Sequence, residues 1–314
     1  MLFALMLLPL ALALPNAQTT FSSPSSLPPL NRAAFVNHTL IPLNDGTFLP
    51  SPAFGVGSAF YQQNATEAVR SALRVGYRHL DNAAIYGNEE SVGEAIRLEG
   101  IPREELYITT KYDYLDEEDV EVEFQKSLKK LGVTYIDLYL IHFPKFVPDP
   151  LKVWRAFESL VAQGLVRSIG VSNYDVATLS VIIALAEIKP SVNQIRYHPY
   201  NQLENAPVVK LSDKYGIITA AYSSLTPITK MPGGPFDEVM EKVAEKSEMT
   251  IGQVILSWVK SKGICVVTTS GKDYRQKEQL DVFGPLFPAL PKKEVKQLDA
   301  AGVKGELKEK LPGL

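Results

Sequence analysis

From Pro52 onward one pattern recurs: a short apolar run, then a longer amphipathic stretch, then another apolar run. The apolar runs are Phe54 to Phe60, His79 to Ala83, Leu106 to Lys111, Ile136 to His142, Ser168 to Ser172, Val192 to Tyr197, Ile218 to Tyr222 and Cys265 to Thr269, eight in all. Strands that alternate with helical stretches build parallel sheets, because a parallel neighbour is reached only through a crossover. The helical stretches include Glu118 to Leu131, Trp154 to Gln163, Asp175 to Ala184 and Gln253 to Lys262, and in the last Val254, Trp258 and Val259 share one face. Glycines at 76, 100, 132, 164 and 216 close helices and turn the chain into the next strand. Eight uninterrupted units in a chain of 314 residues predict an α/β fold, a closed (β/α)8 TIM barrel forming a single domain over residues 36–314.

The first residues differ from the rest. Leu2 to Leu14 are almost wholly apolar and lead to small residues at Ala11, Ala13 and Ala17, the pattern of a secretory signal over residues 1–17. The run is too short for a stable membrane span, and no Lys or Arg precedes it. Pro, Ser and Asn dominate the following stretch, read as a disordered linker over 18–35. Two N-x-[ST] tripeptides follow, at Asn37 and Asn64; Asn64, three residues before Glu67, also reads as a helix cap. The expected location is the secretory pathway or endoplasmic reticulum, with the cytoplasm as the alternative if the start is wrongly extended.

A net charge of -3, scattered along the chain, offers no general attraction to nucleic acid, so no nucleic-acid partner is expected. Cys265, the only cysteine, lies in an apolar run and reads as core; internal disulfides and cysteine metal clusters are excluded. Gly55-Val56-Gly57 continues into Ser58, Ala59 and Phe60, so the G-x-G-x-x-G dinucleotide fingerprint fails, and no G-x-x-x-x-G-K-[ST] loop occurs. A nucleotide would have to bind by another geometry.

All eight C-terminal strand ends of a barrel face one cavity, so polar residues there are the functional candidates. Asp81 ends the second strand, Lys111 the third and His142 the fourth; Asn173 follows the fifth, Gln194 lies in the sixth, and Tyr86 hangs over the same mouth before a helix opening at Asn88 to Ser91. A lysine pointed into a barrel needs a compensating carboxylate, and Asp81 is available. An ammonium close to a phenol should pull the phenol down from about 10, which makes Tyr86 a usable proton donor. His142 could hold a carbonyl oxygen. The set offers a proton and an oxyanion site but no nucleophile, so the missing partner would be a hydride from a bound cofactor.

At this point the chain resembles the aldo-keto reductases. GYRHLDNAAIYGNEESVGEAI, ELYITTK, YIDLYLIHFP, GLVRSIGVSNY, PSVNQIRYHPYNQ and AAYSSL match that family's signatures in order, across roughly Leu49 to Gly302. The resemblance implies a catalytic tetrad of Asp81, Tyr86, Lys111 and His142, with Tyr86 as general acid in carbonyl reduction and general base in alcohol oxidation. It implies a nicotinamide held by Ser172, Asn173 and Gln194, stacked on Tyr222, with further cofactor contacts from Gly55, Ser58, Asp81, Ser223 and Leu225. It also implies a small-molecule carbonyl substrate and a monomer.

The match is weakest at the eighth strand. Where many members have Ile-Pro-Lys-Ser, this chain has Val267-Thr268-Thr269-Ser270, so the lysine that pairs with the 2′-phosphate of NADP is a threonine. Ser270, Lys272 and Arg275 lie beside the loss, and Arg275 matches the family arginine at that phosphate. Glu278 and Gln279 occupy the adenine-amine positions. NADPH is therefore the expected cofactor and NADH the alternative. Phe143, following the histidine, is the expected pocket residue; Phe60, Tyr61, Tyr112 and Tyr114 are candidate apolar walls. The short segment Phe143 to Pro150 and the short Lys- and Glu-rich tail from Val303 predict an open pocket. Two other readings compete: a barrel that binds its cofactor without turnover, and a metal-dependent hydrolase using His79, Asp81, His142 and His198.

Overall fold

A computed structural model describes residues 27–115 and 119–310, with the side chains of 307–310 excepted. The expected signal stretch, 1–17, and part of the expected linker lie outside the described residues. The linker also ends earlier than its composition predicts: Arg32–Phe35 forms a 3₁₀ turn and Phe35 is buried.

A hairpin of β1 (Thr39–Pro42) and β2 (Phe48–Ser51) precedes the barrel and pairs antiparallel. The eight barrel strands are β3 (Ala53–Gly55), β4 (His79–Asp81), β5 (Tyr107–Tyr112), β6 (Ile136–Ile141), β7 (Val166–Ser172), β8 (Val192–Arg196), β9 (Ile218–Tyr222) and β10 (Cys265–Thr268). Each pairs parallel with its chain neighbours, and β10 closes on β3. The expected strands are all present; the first is shorter than the run Phe54 to Phe60 implied, because the chain leaves the sheet after Gly55 to form the cavity mouth.

The helices are α1 (Thr66–Val75), α2 (Glu89–Glu99), α3 (Val120–Leu131), α4 (Pro150–Ala162), α5 (Val176–Leu185), α6 (Gln202–Lys214), α7 (Thr226–Thr229), α8 (Pro235–Ser247), α9 (Ile251–Ser261), α10 (Asp273–Asp281) and α11 (Lys292–Lys310). The five expected helix-closing glycines all have positive φ. The cap expected of Asn64 is displaced by one residue: Ala65 occupies the N-cap, and the Asn64 carboxamide oxygen accepts from the Thr66 N–H at 2.9 Å.

Two-residue alternation along each strand divides the core. Outward-facing residues such as Ile108, Tyr139 and Val266 pack against the helices. Inward-facing Tyr107, Leu138, Leu140, Val192, Ala220 and Cys265 pack with Phe35, Leu43 and Leu49, so the hairpin seals the floor of the barrel. The same alternation carries Asp81, Lys111 and Gln194 inward at the opposite end. Among the described residues, no helix is long and apolar enough to cross a membrane.

Candidate active site

At the C-terminal strand ends, a cleft of about 590 Å³ opens over the barrel axis. Asp81 and Lys111 lie beneath it, 2 % and 0 % exposed, joined by Nζ donating to Oδ1 at 2.6 Å. The ammonium also donates to the Asn82 carbonyl oxygen at 2.6 Å and to the Tyr86 hydroxyl at 3.3 Å. Burial pushes the Lys111 ammonium towards neutrality, but Asp81 and Tyr86 more than reverse it, and it is held charged, above its ordinary range. The second Asp81 oxygen accepts from Gln194 Nε2 at 2.7 Å, which saturates the carboxylate inside the barrel.

One expectation is reversed here. The Tyr86 phenol is raised above its ordinary value: burial is the largest influence, Asp81 adds to it, and the opposing charge of Lys111 does not overcome them. The net effect favours the neutral phenol over the phenolate. Its ring packs edge-on to His142 at 5.5 Å and to Tyr61 at 6.4 Å. Gly57 makes this placement feasible, since a Cβ there would lie 2.7 Å from Tyr86 Cζ. Asn88, the N-cap of α2, makes no side-chain cap; its amide donates to the Val56 and Phe60 carbonyl oxygens and ties the β3 loop over the site.

His142 reaches the same cleft from the end of β6. Its Nδ1 lies 2.5 Å from Asp113 Oδ1, a partner that reading the sequence missed. A usable signal existed: Asp113 is two residues beyond Lys111 on the same run, so alternation puts both on the inner face. Phe143 stacks on the His142 ring at 4.5 Å and lines the cleft, as expected. Of the four candidate apolar walls only Tyr61 lines it; Tyr112 is buried in the outer core, and Phe60 and Tyr114 pack against that core.

The expected nicotinamide residues converge in part. Asn173, Gln194, Tyr222, Ser223 and Leu225 line the cleft together with Gly55 and Ser58. Asn173 adopts φ 61°, its amide donating to the His142 carbonyl oxygen at 3.0 Å and its oxygen accepting from the Tyr222 hydroxyl at 2.7 Å. Ser172 is buried just below, its hydroxyl donating to the Gln194 carbonyl oxygen. The residues expected at the far end of the cofactor, Ser270, Lys272, Arg275, Glu278 and Gln279, are not in the cleft lining. Lys272 and Arg275 are exposed at the start of α10. The Glu278 carboxylate accepts from the Thr250 hydroxyl, and Gln279 is buried with its side-chain oxygen unpaired among the described residues.

The cleft fits a phosphate-bearing cofactor on an independent ground. Ser224 Oγ and Thr269 Oγ1 are buried in its lining without hydrogen-bond partners among the described residues, and Lys230 lines the same cleft. Buried hydroxyls are normally paired, so two orphans in one wall mark a place for acceptor oxygens. Ser224 lies within the AAYSSL motif and Thr269 is the threonine that replaces the family lysine, but neither was expected to hold phosphate, and Lys230 did not stand out in the sequence.

The metal-hydrolase alternative finds no support. His79 Nδ1 and Nε2 are engaged by the Pro50 carbonyl oxygen at 2.6 Å and Thr109 Oγ1 at 2.8 Å, and His198 Nδ1 accepts from the Tyr200 N–H. Among the described residues no group of three or more His, Cys, Asp or Glu is placed to hold a metal ion.

Comparison with known proteins agrees with this geometry. The Aldo/keto reductase family model matches residues 53–231. An NAD/NADP-dependent indole-3-acetaldehyde reductase of Schizosaccharomyces pombe is 35% identical over 271 residues, covering 82% of this chain and 93% of the relative. A glyoxal reductase of Bacillus subtilis is 40% identical over 247 residues, covering 77% and 86%. The crystal structure of a Bombyx mori aldo-keto reductase in complex with NADP superposes with a TM-score of 0.73 at 34% identity, covering 83% of this chain and 92% of that one. With the barrel, the buried Asp81–Lys111 pair and the Tyr86 hydroxyl at one cleft, these likenesses establish that the chain belongs to the aldo/keto reductase family.

Proposed function

We propose that this protein reduces small aldehydes or ketones to alcohols with NADPH, using Tyr86 as the proton donor. The observation that carries the reading is the buried chain from Asp81 through Lys111 to the Tyr86 hydroxyl, which ends at the cleft. NADPH, when bound, supplies the hydride. The chain's own residues do the rest. Ser224, Thr269 and Lys230 would hold phosphate oxygens, while Asn173, Gln194 and Tyr222 would orient the nicotinamide end. Phe143 and Tyr61 would form an apolar wall on the carbonyl side. Tyr86 gives its hydroxyl proton to the carbonyl oxygen, and the Lys111 ammonium offsets part of the cost of the phenolate left behind.

Lys272 and Arg275 support NADPH over NADH, because two exposed cations at the α10 start suit a second phosphate. All these side chains come from one chain, which supports a monomer as the working unit. The test mixes purified protein with NADPH and a panel of nitrobenzaldehydes, glyoxals and ketones, following cofactor absorbance and cofactor binding separately. Turnover supports the reductase, and binding without turnover would replace it with a cofactor-binding barrel.

We also propose that the leader routes the chain into the secretory pathway, with the endoplasmic reticulum as the compartment that would still supply NADPH. Asn37 and Asn64 are both exposed, and the single cysteine is buried with its thiol pushed up to about 12, so an oxidising compartment poses it little hazard. Sequencing the N-terminus of native protein tests this; an intact Leu2 contradicts it.

A further inference from the structure

Asp113 holds His142 in a geometry that restricts what the imidazole can do. Both Asp113 oxygens are engaged: Oδ2 accepts from the Ile85 N–H at 3.0 Å, one residue before Tyr86, and Oδ1 lies 2.5 Å from His142 Nδ1. Asp113 is itself fixed from behind. Its backbone N–H donates to Glu123 Oε1 at 2.9 Å, and Glu123 Oε2 accepts from Leu115 N–H at 3.2 Å. An ionised carboxylate is acceptor-only, so His142 Nδ1 must carry the hydrogen. In the neutral ring Nε2 is then a bare lone pair. Nε2 has no hydrogen-bond partner among the described residues, and His142 lines the cleft.

We propose that Asp113 is a positioning residue that fixes His142 in the Nδ1–H tautomer, so that His142 donates to a carbonyl oxygen only after taking a second proton. The productive form for reduction is then an Asp113 carboxylate paired with a His142 imidazolium, whose Nε2–H points at the carbonyl oxygen while Tyr86 delivers the proton. The imidazolium keeps both its hydrogens through the reaction. In alcohol oxidation the same step runs backwards: the alcohol hydroxyl gives its proton to the Tyr86 phenolate while the imidazolium Nε2–H donates to the same oxygen.

The groups around the ring set the direction of its pH response. Burial lowers the imidazole below its ordinary value, the Asp113 hydrogen bond and charge pull it back up, Lys111 from β5 opposes protonation and Asp81 from β4 favours it. Tyr86 and the Asn173 amide complete the shell, and Glu123 of α3 stands behind Asp113. With the net direction downward, the imidazolium fills on the acid side of neutrality. Reduction should therefore be favoured at acid pH.

This inference rests on the proposed reductase chemistry for its kinetic consequence but not for its structural content, so two experiments separate them. Nitrogen-15 NMR of the imidazoles in the free wild-type protein reads the tautomer directly. The chain has four histidines, and His142→Gln assigns the signal by its loss. A neutral His142 with hydrogen on Nδ1 is expected; hydrogen on Nε2 overturns the proposal whether or not the protein turns over. The second experiment uses Asp113→Asn. Because the Ile85 N–H demands an acceptor, the new amide oxygen must face it and the NH₂ must face His142, which forces the Nε2–H tautomer. Wild-type kcat/KM for reduction should fall about tenfold per pH unit above the His142 midpoint, and Asp113→Asn should abolish that limb. A uniform loss with an unchanged profile would mean that Asp113 only supports the structure, and would overturn the assignment.

Discussion

The two ends of the site are built on opposite principles. At the tetrad, Asp81, Lys111 and Gln194 are enclosed by the barrel, and every charge meets a partner at hydrogen-bond distance. At the start of α10, Lys272 and Arg275 stand in solvent, their cationic groups 6.0 and 5.8 Å from the centre of the Tyr274 ring. Charges in the first region act at short range through low dielectric; those in the second are screened within about 8 Å at physiological salt. Chemistry should therefore depend steeply on the buried end, whereas the exposed end should tune cofactor choice in a graded, salt-sensitive way.

Lys111→Met should break the comparison most severely. It leaves Asp81 buried with only Gln194, so stability should fall by about 3–5 kcal/mol in denaturant melts, with reduction lost as well. A variant that keeps its stability would mean the pair is not the buried anchor described here. Gly57→Ala comes next. The added methyl meets Tyr86 Cζ at 2.7 Å, and displacing the hydroxyl by a fraction of an ångström to one ångström should cost about 10²-fold in kcat with little change in cofactor affinity.

Arg275→Ala should act at the exposed end alone, raising KM for NADPH by about tenfold through the loss of roughly 1.4 kcal/mol, with kcat and the NADH reaction spared. The effect should shrink as salt rises. Equal effects on both cofactors would remove Arg275 from the phosphate. The last effect is on folding and leaves catalysis aside. His79 is buried and lowered to about 4 by desolvation, with Pro50 and Asp81 opposing. Its neutral form stabilises the fold above the unfolded value near 6.5. That contribution is lost as pH falls towards 4, with a slope of about 1.4 kcal/mol per pH unit per proton. Unfolding free energies at pH 7 and pH 5 should show the drop, and a flat profile would contradict it.

The same contrast explains what the sequence could reveal. The barrel and the tetrad were legible because alternation within strands and crossover spacing between them are local signals, and all eight strand ends converge by closure. The placement of Asp81, Lys111 and His142 at one mouth follows from that rule, whereas their grouping with Tyr86 as a catalytic set came from the resemblance to the family. Asp113 was missed although the same alternation places it beside Lys111, because its partner comes from the next strand and depends on register. The floor hairpin was missed because each of its strands is only four residues long, too short for a periodicity to stand out. The direction of the Tyr86 phenol was misread because proximity to Lys111 is visible in a motif while the extent of burial is not. At the exposed end sequence identity alone pointed to Lys272 and Arg275; Ser224 and Thr269 lie in motifs, but that their hydroxyls are orphaned in the cleft wall is visible only in three dimensions.

The most direct measurement compares wild type with Tyr86→Phe in NADPH-dependent aldehyde reduction, with NADPH affinity followed by fluorescence. The Phe ring keeps the contacts to His142 and Tyr61 and removes only the hydroxyl. Turnover should fall by about 10²–10⁴-fold while the dissociation constant for NADPH stays within twofold or so. A Phe variant that still reduces aldehydes at close to the wild-type rate would contradict the assignment of Tyr86 as the proton donor.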